Sequence, residues 1–313
     1  MKGIAMMLST CNNAKEQLST DSLFYNQLMA DYTSWRVGGV AKKLFKPKNL
    51  TQLKEFLATL PMDENILWLG LGSNSLIRDS GISGTVILTQ GNLADIKLIG
   101  GGLVYFGAGV ACAKLARFCA RCDLSGAEFW AGIPGTMGGA LRMNAGCFNG
   151  ETWDNIVEIE TITRSGEIKK RTPADFSVSY RHVVMPADEW FIGATCKLPK
   201  GNKSESLQLI KNLLDRRSAT QPTGEYSCGS VFRNPDKLYA AQLIESCGLK
   251  GMRIGGAVVS NKHANFILNE NGSATAADIE SLINFVQQEV MQKKDILLKR
   301  EVHIFGDENV QQA

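Results

Sequence analysis

Four glycines fall within ten consecutive residues, Ala131-Gly-Ile-Pro-Gly-Thr-Met-Gly-Gly-Ala140, and Asn144-Ala-Gly146 follows closely. Glycine has no Cβ, so such density lets main chain approach a flat or charged ligand closely. A second segment, Gly70-Leu-Gly72-Ser-Asn-Ser75, lies about sixty residues upstream. Its small residues allow backbone N–H groups to converge on phosphate oxygens without a helix. Read alone, this segment is equally a polar turn between two strands. The pair together implies one long ligand carrying a diphosphate. A dinucleotide turn of the Rossmann kind fits poorly. Gly70-Leu-Gly72 and Gly107-Ala-Gly109 both begin as GxG, yet neither has the third glycine. Leu76-Ile-Arg-Asp79 also looks extended, where that motif needs a helix.

Around these loops the pattern alternates between helix and strand. Leu50, Leu53, Phe56, Leu57 and Leu60 recur at helical spacing. Asn65–Gly70, Thr85–Thr89, Leu103–Gly107 and Trp190–Leu198 read as strands, and Cys112, Leu115, Phe118 and Cys119 mark a helix. Val157 and Ile159 alternate with glutamates, with a hairpin turn at Ser165-Gly166. Thr172-Pro-Ala-Asp175 has the composition of a helix start. Leu207, Ile210, Leu213 and Leu214 form an amphipathic helix ending at Arg216-Arg217, followed by an aperiodic stretch from Gln221 to Pro235. Thr275–Asp278 then opens a helix carrying Ile279, Leu282, Ile283, Val286 and Val290, and Glu301–Phe305 is a closing strand. The class is α+β.

A net charge of +3 without a basic run gives no reason to expect nucleic acid. No segment reaches the roughly 20 apolar residues that cross a bilayer, and the apolar stretch Ile4–Leu8 is too short for a secretory signal. The cytoplasm is the expected compartment. The eight cysteines sit in apolar contexts and are expected to be reduced. Cys119-Ala-Arg-Cys122 has metal-type spacing but no second pair, and His182, His263 and His303 show no metal-like grouping, so no metal is expected.

Trp35-Arg-Val-Gly-Gly39, Leu69–Ser75, Gly132–Gly139 and Asn144–Gly146 together resemble the FAD-binding fold of the vanillyl-alcohol-oxidase type. Ser179-Tyr-Arg181, Cys228-Gly-Ser-Val-Phe-Arg-Asn-Pro235, Leu249-Lys-Gly251, Ile254-Gly-Gly256 and Arg300-Glu-Val302 resemble the UDP-N-acetylenolpyruvoylglucosamine reductase family more narrowly. The likeness runs from about Asp31 to Phe305, and the compact stretch from Arg181 to Trp190 resembles the family's shorter branch, which lacks a substrate-covering loop. It implies a two-part FAD-binding domain, residues 21–90 and 91–205, followed by an α+β substrate-binding domain at 206–313. Residues 1–20 would form a frayed tail.

The resemblance implies that NADPH reduces non-covalent FAD, which in turn reduces the enolpyruvyl group of UDP-N-acetylglucosamine enolpyruvate. An enolate develops and a carbon must be protonated. By motif match Ser230 is the proton donor, while Arg181 and Glu301 face the substrate carboxylate. Read without the resemblance, Ser230 is a turn-capping serine, Arg181 a loop residue and Glu301 a strand-edge residue. The implied cofactor set is Gly70, Gly72, Ser73, Asn74, Ser75, Gly132, Ile133, Pro134, Gly135, Thr136, Gly138, Gly139, Asn144, Ala145, Gly146 and Arg217. Tyr180, Asn234 and Lys250 would bind the sugar and diphosphate, with His263 at a position where some relatives carry an amide. The diphosphate loop has no His or Cys for covalent attachment, and Cys147 reads as a packing residue. No protein partner is implied, and a monomer is expected. Two other readings compete. A flavin oxidase of the same fold leaves Cys228–Pro235 and Leu249–Gly251 unexplained. A nucleotide-sugar-binding protein without catalysis has no use for Ser230, Arg181 and Glu301 together.

Overall fold

The computed structural model describes residues 22–306; the expected tail at 1–20 lies outside them. Six helices run in chain order: α1 (Leu50–Thr59), α2 (Cys112–Arg121), α3 (Met137–Arg142), α4 (Lys203–Thr220), α5 (Ala240–Ser246) and α6 (Ala276–Lys294). They accompany a mixed four-stranded sheet, an antiparallel five-stranded sheet, a three-stranded antiparallel sheet and smaller strand pairs, the α+β architecture expected.

The first sheet orders its strands Leu23–Leu28, Val40–Phe45, Ile82–Leu88 and Ile66–Leu69. The last three of these run parallel, and Leu23–Leu28 pairs antiparallel at one edge. α1 crosses over on one face because Asn49 caps its start, and Leu53, Phe56 and Leu57 form its buried stripe. That stripe packs with Phe45 and Ile87, and also with Ile162 and Ile192 of the second sheet. The hydrophobic seam therefore fuses the two sheets.

The second sheet orders Ile168–Arg171, Ile156–Thr163, Glu189–Lys197, Leu103–Gly107 and Ile96–Gly100. The Ser165-Gly166 turn falls where the spacing places it, with Gly166 at φ 81°. Thr172–Asp175 makes a reciprocal capping box, but only a three-residue 3₁₀ turn follows, Pro173–Asp175. Phe176 is already extended, and Phe176 and Val178 pack inward on alternate positions, so strand geometry takes over. α4 runs on past Arg217 to Thr220 and buries Ile210 in this middle core, beside Leu115 and Trp130. The helix grouped at the sequence level with the C-terminal domain thus packs on the middle one.

The C-terminal core forms around α6. Thr275 and Asp278 close its capping box, and Ile279, Leu282, Ile283, Val286 and Val290 are almost wholly buried. Each such side chain contributes roughly 1.5–3 kcal/mol relative to exposure. This core includes Trp35 and Leu76 of the N-terminal part. Trp35 Nε1 donates to the Ile267 carbonyl at 2.8 Å, and Asn269 Nδ2 donates to the Trp35 carbonyl at 2.8 Å. Arg78 forks onto Glu280 at 2.9 and 2.8 Å. Asp79 accepts from the N–H groups of Ala276 and Ala277 that open α6. Finally His303–Phe305 returns to pair in parallel with Ser75–Ile77, which brings the closing strand beside the first glycine loop.

Candidate active site

The three parts enclose a cavity of ≈ 1250 Å³. Ligand pockets run to roughly 300–1,000 Å³, so this one has room for more than a single small molecule. Its wall contains Arg142, Arg181, Arg216 and Arg217 but only two carboxylates, Glu189 and Glu301. Glu189 is already paired with Arg171. The surplus positive charge suits a ligand bearing phosphates.

The two glycine loops meet at this wall. A Cβ on Gly70 would lie 2.3 Å from Thr136 Oγ1, and one on Gly135 would lie 3.1 Å from Ser73 Oγ. Gly72 is left-handed at φ 65° and packs under the Tyr32 carbonyl, 2.3 Å from where a Cβ would sit. Thr136 Oγ1 is buried and has no hydrogen-bond partner among the described residues. Apart from its chain neighbours and its own helix backbone, a Cβ on Gly139 would meet only that hydroxyl among the described residues, at 3.9 Å. An unsatisfied donor beside glycines that leave open space is a cradle for a polar ligand atom, since an orphan buried hydroxyl is costly otherwise. These residues fit the diphosphate of a flavin dinucleotide.

Arg181 sits at the tip of the hairpin formed by Ser177–Ser179 and His182–Val184, with φ 55°. Its Nε donates to Glu301 Oε1 at 3.0 Å, Nη2 to the Gly146 carbonyl at 2.7 Å and Nη1 to the Asn144 carbonyl at 3.3 Å. Glu301 is 12 % exposed at its side chain. Burial pushes its carboxyl above the usual range, against the opposing pull of Arg181 and Arg233. Ser230 lies in the aperiodic stretch, after left-handed Gly229. The Glu301 N–H donates to the Val231 carbonyl at 2.8 Å, and Asn265 holds both polar groups of Phe232. Cys228 Sγ reaches the carbonyls of Gly72 and Ser75. Ser230 and Glu301 are therefore fixed to each other and to the first glycine loop. Ser230 lines the cleft, and its hydroxyl has no hydrogen-bond partner among the described residues, whereas a turn cap would have one.

Every residue of the expected cofactor and catalytic sets lines this cleft except Asn144. Asn144 is 2 % exposed and its side chain turns away, bonding Glu151, the Ser179 carbonyl and the Trp153 N–H. Asn74 lines the cleft, but its amide donates to the Glu301 carbonyl at 3.1 Å, tying loop to strand. Arg217 is likewise committed, Nη1 to the Gly132 carbonyl and Nε to Gln221. The four expected substrate residues stay off the cleft wall. Tyr180 is exposed at the hairpin tip, its ring 5.3 Å from the Arg181 guanidinium carbon. Asn234 Oδ1 accepts from the Ala240 N–H, and Lys250 pairs with Glu245 at 2.6 Å. His263 is packed edge-on against Phe266, and burial lowers its pKa.

Sequence reasoning missed several cleft residues. Arg216 and Leu213 share the α4 face with Arg217 and Thr220, a stripe visible in their helical spacing. His303 and Phe305 face inward with Glu301 by strand alternation. Burial, then Arg142 and Arg233, lower the His303 pKa. Trp68 and Trp190, stacked 5.4 Å apart, and Arg142 had no local signal. Cys147 also lines the wall; burial pushes its thiol up to about 11, so it is a poor nucleophile there. Among the described residues no three His, Cys, Asp or Glu side chains group to hold a metal.

Known proteins resemble this chain over most of its length. The family described as UDP-N-acetylenolpyruvoylglucosamine reductase, C-terminal domain, matches residues 221–305, and an FAD binding domain matches 41–171. The UDP-N-acetylenolpyruvoylglucosamine reductase of Legionella pneumophila (strain Corby) is 62% identical over 293 residues, covering 94% of this chain and 95% of the relative. That of Alkalilimnicola ehrlichii is 52% identical, covering 94% and 98%. The crystal structure of UDP-N-acetylenolpyruvylglucosamine reductase from Thermus caldophilus superposes with a TM-score of 0.78 at 33% identity, covering 90% of this chain and 98% of that one.

Proposed function

The chain belongs to the UDP-N-acetylenolpyruvoylglucosamine reductase family, and on that premise we propose which of its residues carry the reaction. The family reduces UDP-N-acetylglucosamine enolpyruvate to UDP-N-acetylmuramate with FAD and NADPH, an oxidoreductase step in peptidoglycan precursor synthesis. One observation carries the assignment of roles. Ser230, Arg181 and Glu301, from three distant stretches of chain, converge on the cleft that the glycine loops also line.

Gly70–Ser75 and Gly132–Gly139 would hold the diphosphate of FAD, with Thr136 Oγ1 as a donor awaiting an acceptor. Bound there, FAD would supply to the substrate the hydride taken from NADPH. Arg181 forks onto the substrate carboxylate and stabilises the charge that develops there. Glu301, buried and protonated more readily than an ordinary glutamate, shares a proton with the same group. Ser230 gives its Oγ proton to the carbon beside the carboxylate. The C=C bond is thereby replaced by two C–H bonds, one from the hydride and one from Ser230, which recovers its proton from water. A serine hydroxyl is a weak acid, but an enolate is basic enough to take its proton when geometry is fixed.

All three groups come from one chain, which supports action as a monomer. The seven described cysteines are unpaired, in keeping with a reducing compartment such as the cytoplasm. No helix among the described residues is long and apolar enough to cross a membrane.

The test separates the two halves of the reaction in the flavin-loaded protein. In Ser230→Ala, NADPH should bleach the flavin at nearly the normal rate. Substrate-driven return of the colour should slow by roughly 10²- to 10⁴-fold, followed by stopped-flow absorbance. Rapid return of the yellow band in that variant would remove Ser230 from the proton transfer.

A further inference from the structure

Arg181 carries two burdens that its own hairpin does not relieve. Its backbone is left-handed at φ 55°, a conformation that non-glycine residues outside Asn and Asp rarely hold. Its guanidinium must also be kept at one orientation over the cleft, although Glu301 bonds only its Nε. Asn144 addresses both. Its carbonyl accepts from Arg181 Nη1, while its side-chain Nδ2 donates to the carbonyl of Ser179, two residues before the strained position.

Asn144 is in turn immobilised. It is left-handed at φ 46°, which asparagine tolerates. Nδ2 also donates to Glu151 Oε2 at 2.7 Å, and Oδ1 accepts from the Trp153 N–H at 3.2 Å. Trp153 Nε1 donates to the Leu141 carbonyl at 2.8 Å, anchoring the group to the end of α3. Ala145 is fixed through Thr152, whose Oγ1 donates to its carbonyl at 2.6 Å. Gly146, which takes Arg181 Nη2, is the next residue. One short, doubly anchored turn thus presents two carbonyls to one guanidinium.

We propose that Asn144 is a positioning residue for Arg181, bracing the far end of its side chain and the backbone of its turn at once. The role rests on the reading of Arg181 as the group that meets the substrate carboxylate. It adds that the guanidinium works only while the Asn144 turn holds it. Neither substrate nor cofactor need touch the Asn144 side chain, which is buried away from the cleft.

The experiment uses the flavin-loaded protein. Asn144→Gly keeps the left-handed backbone and removes the side chain. Glu151→Ala leaves Asn144 itself unchanged and removes one anchor of its amide, together with half of the capping box that opens the Thr152–Asn155 turn. Both should slow substrate-driven flavin reoxidation, Asn144→Gly by roughly 10- to 100-fold, with reduction by NADPH within about twofold of normal. In an Arg181→Ala background, Asn144→Gly should cause no further loss, because the group it positions is gone. Equal slowing of both phases, additive loss in the double variant, or normal reoxidation in the single ones would overturn the proposal. Should Asn144→Gly fail to load flavin, Glu151→Ala decides by the same criteria. Arg181→Ala alone tests the underlying reading: normal reoxidation there sinks Arg181, whereas slow reoxidation there with normal Asn144→Gly sinks only the brace.

Discussion

Glu301 is a carboxylate on which two opposing influences act, and burial outweighs the neighbouring cations. Because its pKa is raised, the protonated form persists above the usual carboxylate range and is lost as pH rises through the raised value. The substrate half-reaction should therefore show an alkaline decline that the NADPH half-reaction lacks. Glu301→Gln, always neutral, should erase that decline and lower the plateau rate by roughly 10²-fold; a pH profile of each phase measures it. An unchanged alkaline limb in the Gln variant would assign the ionisation to another group. At this scale the site was legible only through motif likeness. Ser230 in isolation reads as a cap, and nothing local in the sequence signals that its hydroxyl is left free. Arg142 escaped because a single basic residue on a short helix carries no period to read.

Among elements, the second glycine loop and α3 give the cleanest test of the cradle. Gly139 lies in α3 with ordinary helical backbone and space around its Cβ position. Valine there is no worse than glycine for the helix, by about 0–0.5 kcal/mol. Gly139→Val should keep the thermal midpoint within roughly 2 °C while flavin occupancy after purification falls sharply. Full occupancy would make the glycine incidental. Gly70 is a poorer choice, since any side chain there strikes Thr136 directly. Elements with strong periods were readable: α6 carries every apolar residue its spacing required, and the Ser165-Gly166 turn sits between its strands. The Thr172 capping box misled because a cap starts a helix only if an apolar stripe follows, and here alternation follows. α5 buries just Ala240 and Ile244, too little pattern to find.

For the whole molecule, the decisive contacts are those that join residues far apart in the chain. Arg78 and Asp79 tie the N-terminal part of the chain to α6, and Trp35 ties it to the Ile267–Asn269 strand. Hydrogen bonding to Arg78 holds the Glu280 pKa below its ordinary value. Its contribution to stability is thus full above the usual carboxylate range and lost as pH falls through the lowered value. Arg78→Ala should cost about 1–3 kcal/mol at neutral pH, with the deficit shrinking in acid. Denaturant titrations at several pH values check this, and a deficit that stays constant with pH would exclude Glu280 as the source. These long-range ties left no trace in local composition. The pairing of His303–Phe305 with Ser75–Ile77 has a consequence for how such a chain is made. On the ribosome both glycine loops emerge long before Glu301. A nascent chain can hold its two cradle loops while the strand that shoulders the first of them is still unsynthesised. The catalytic set is then completed only when that last strand docks.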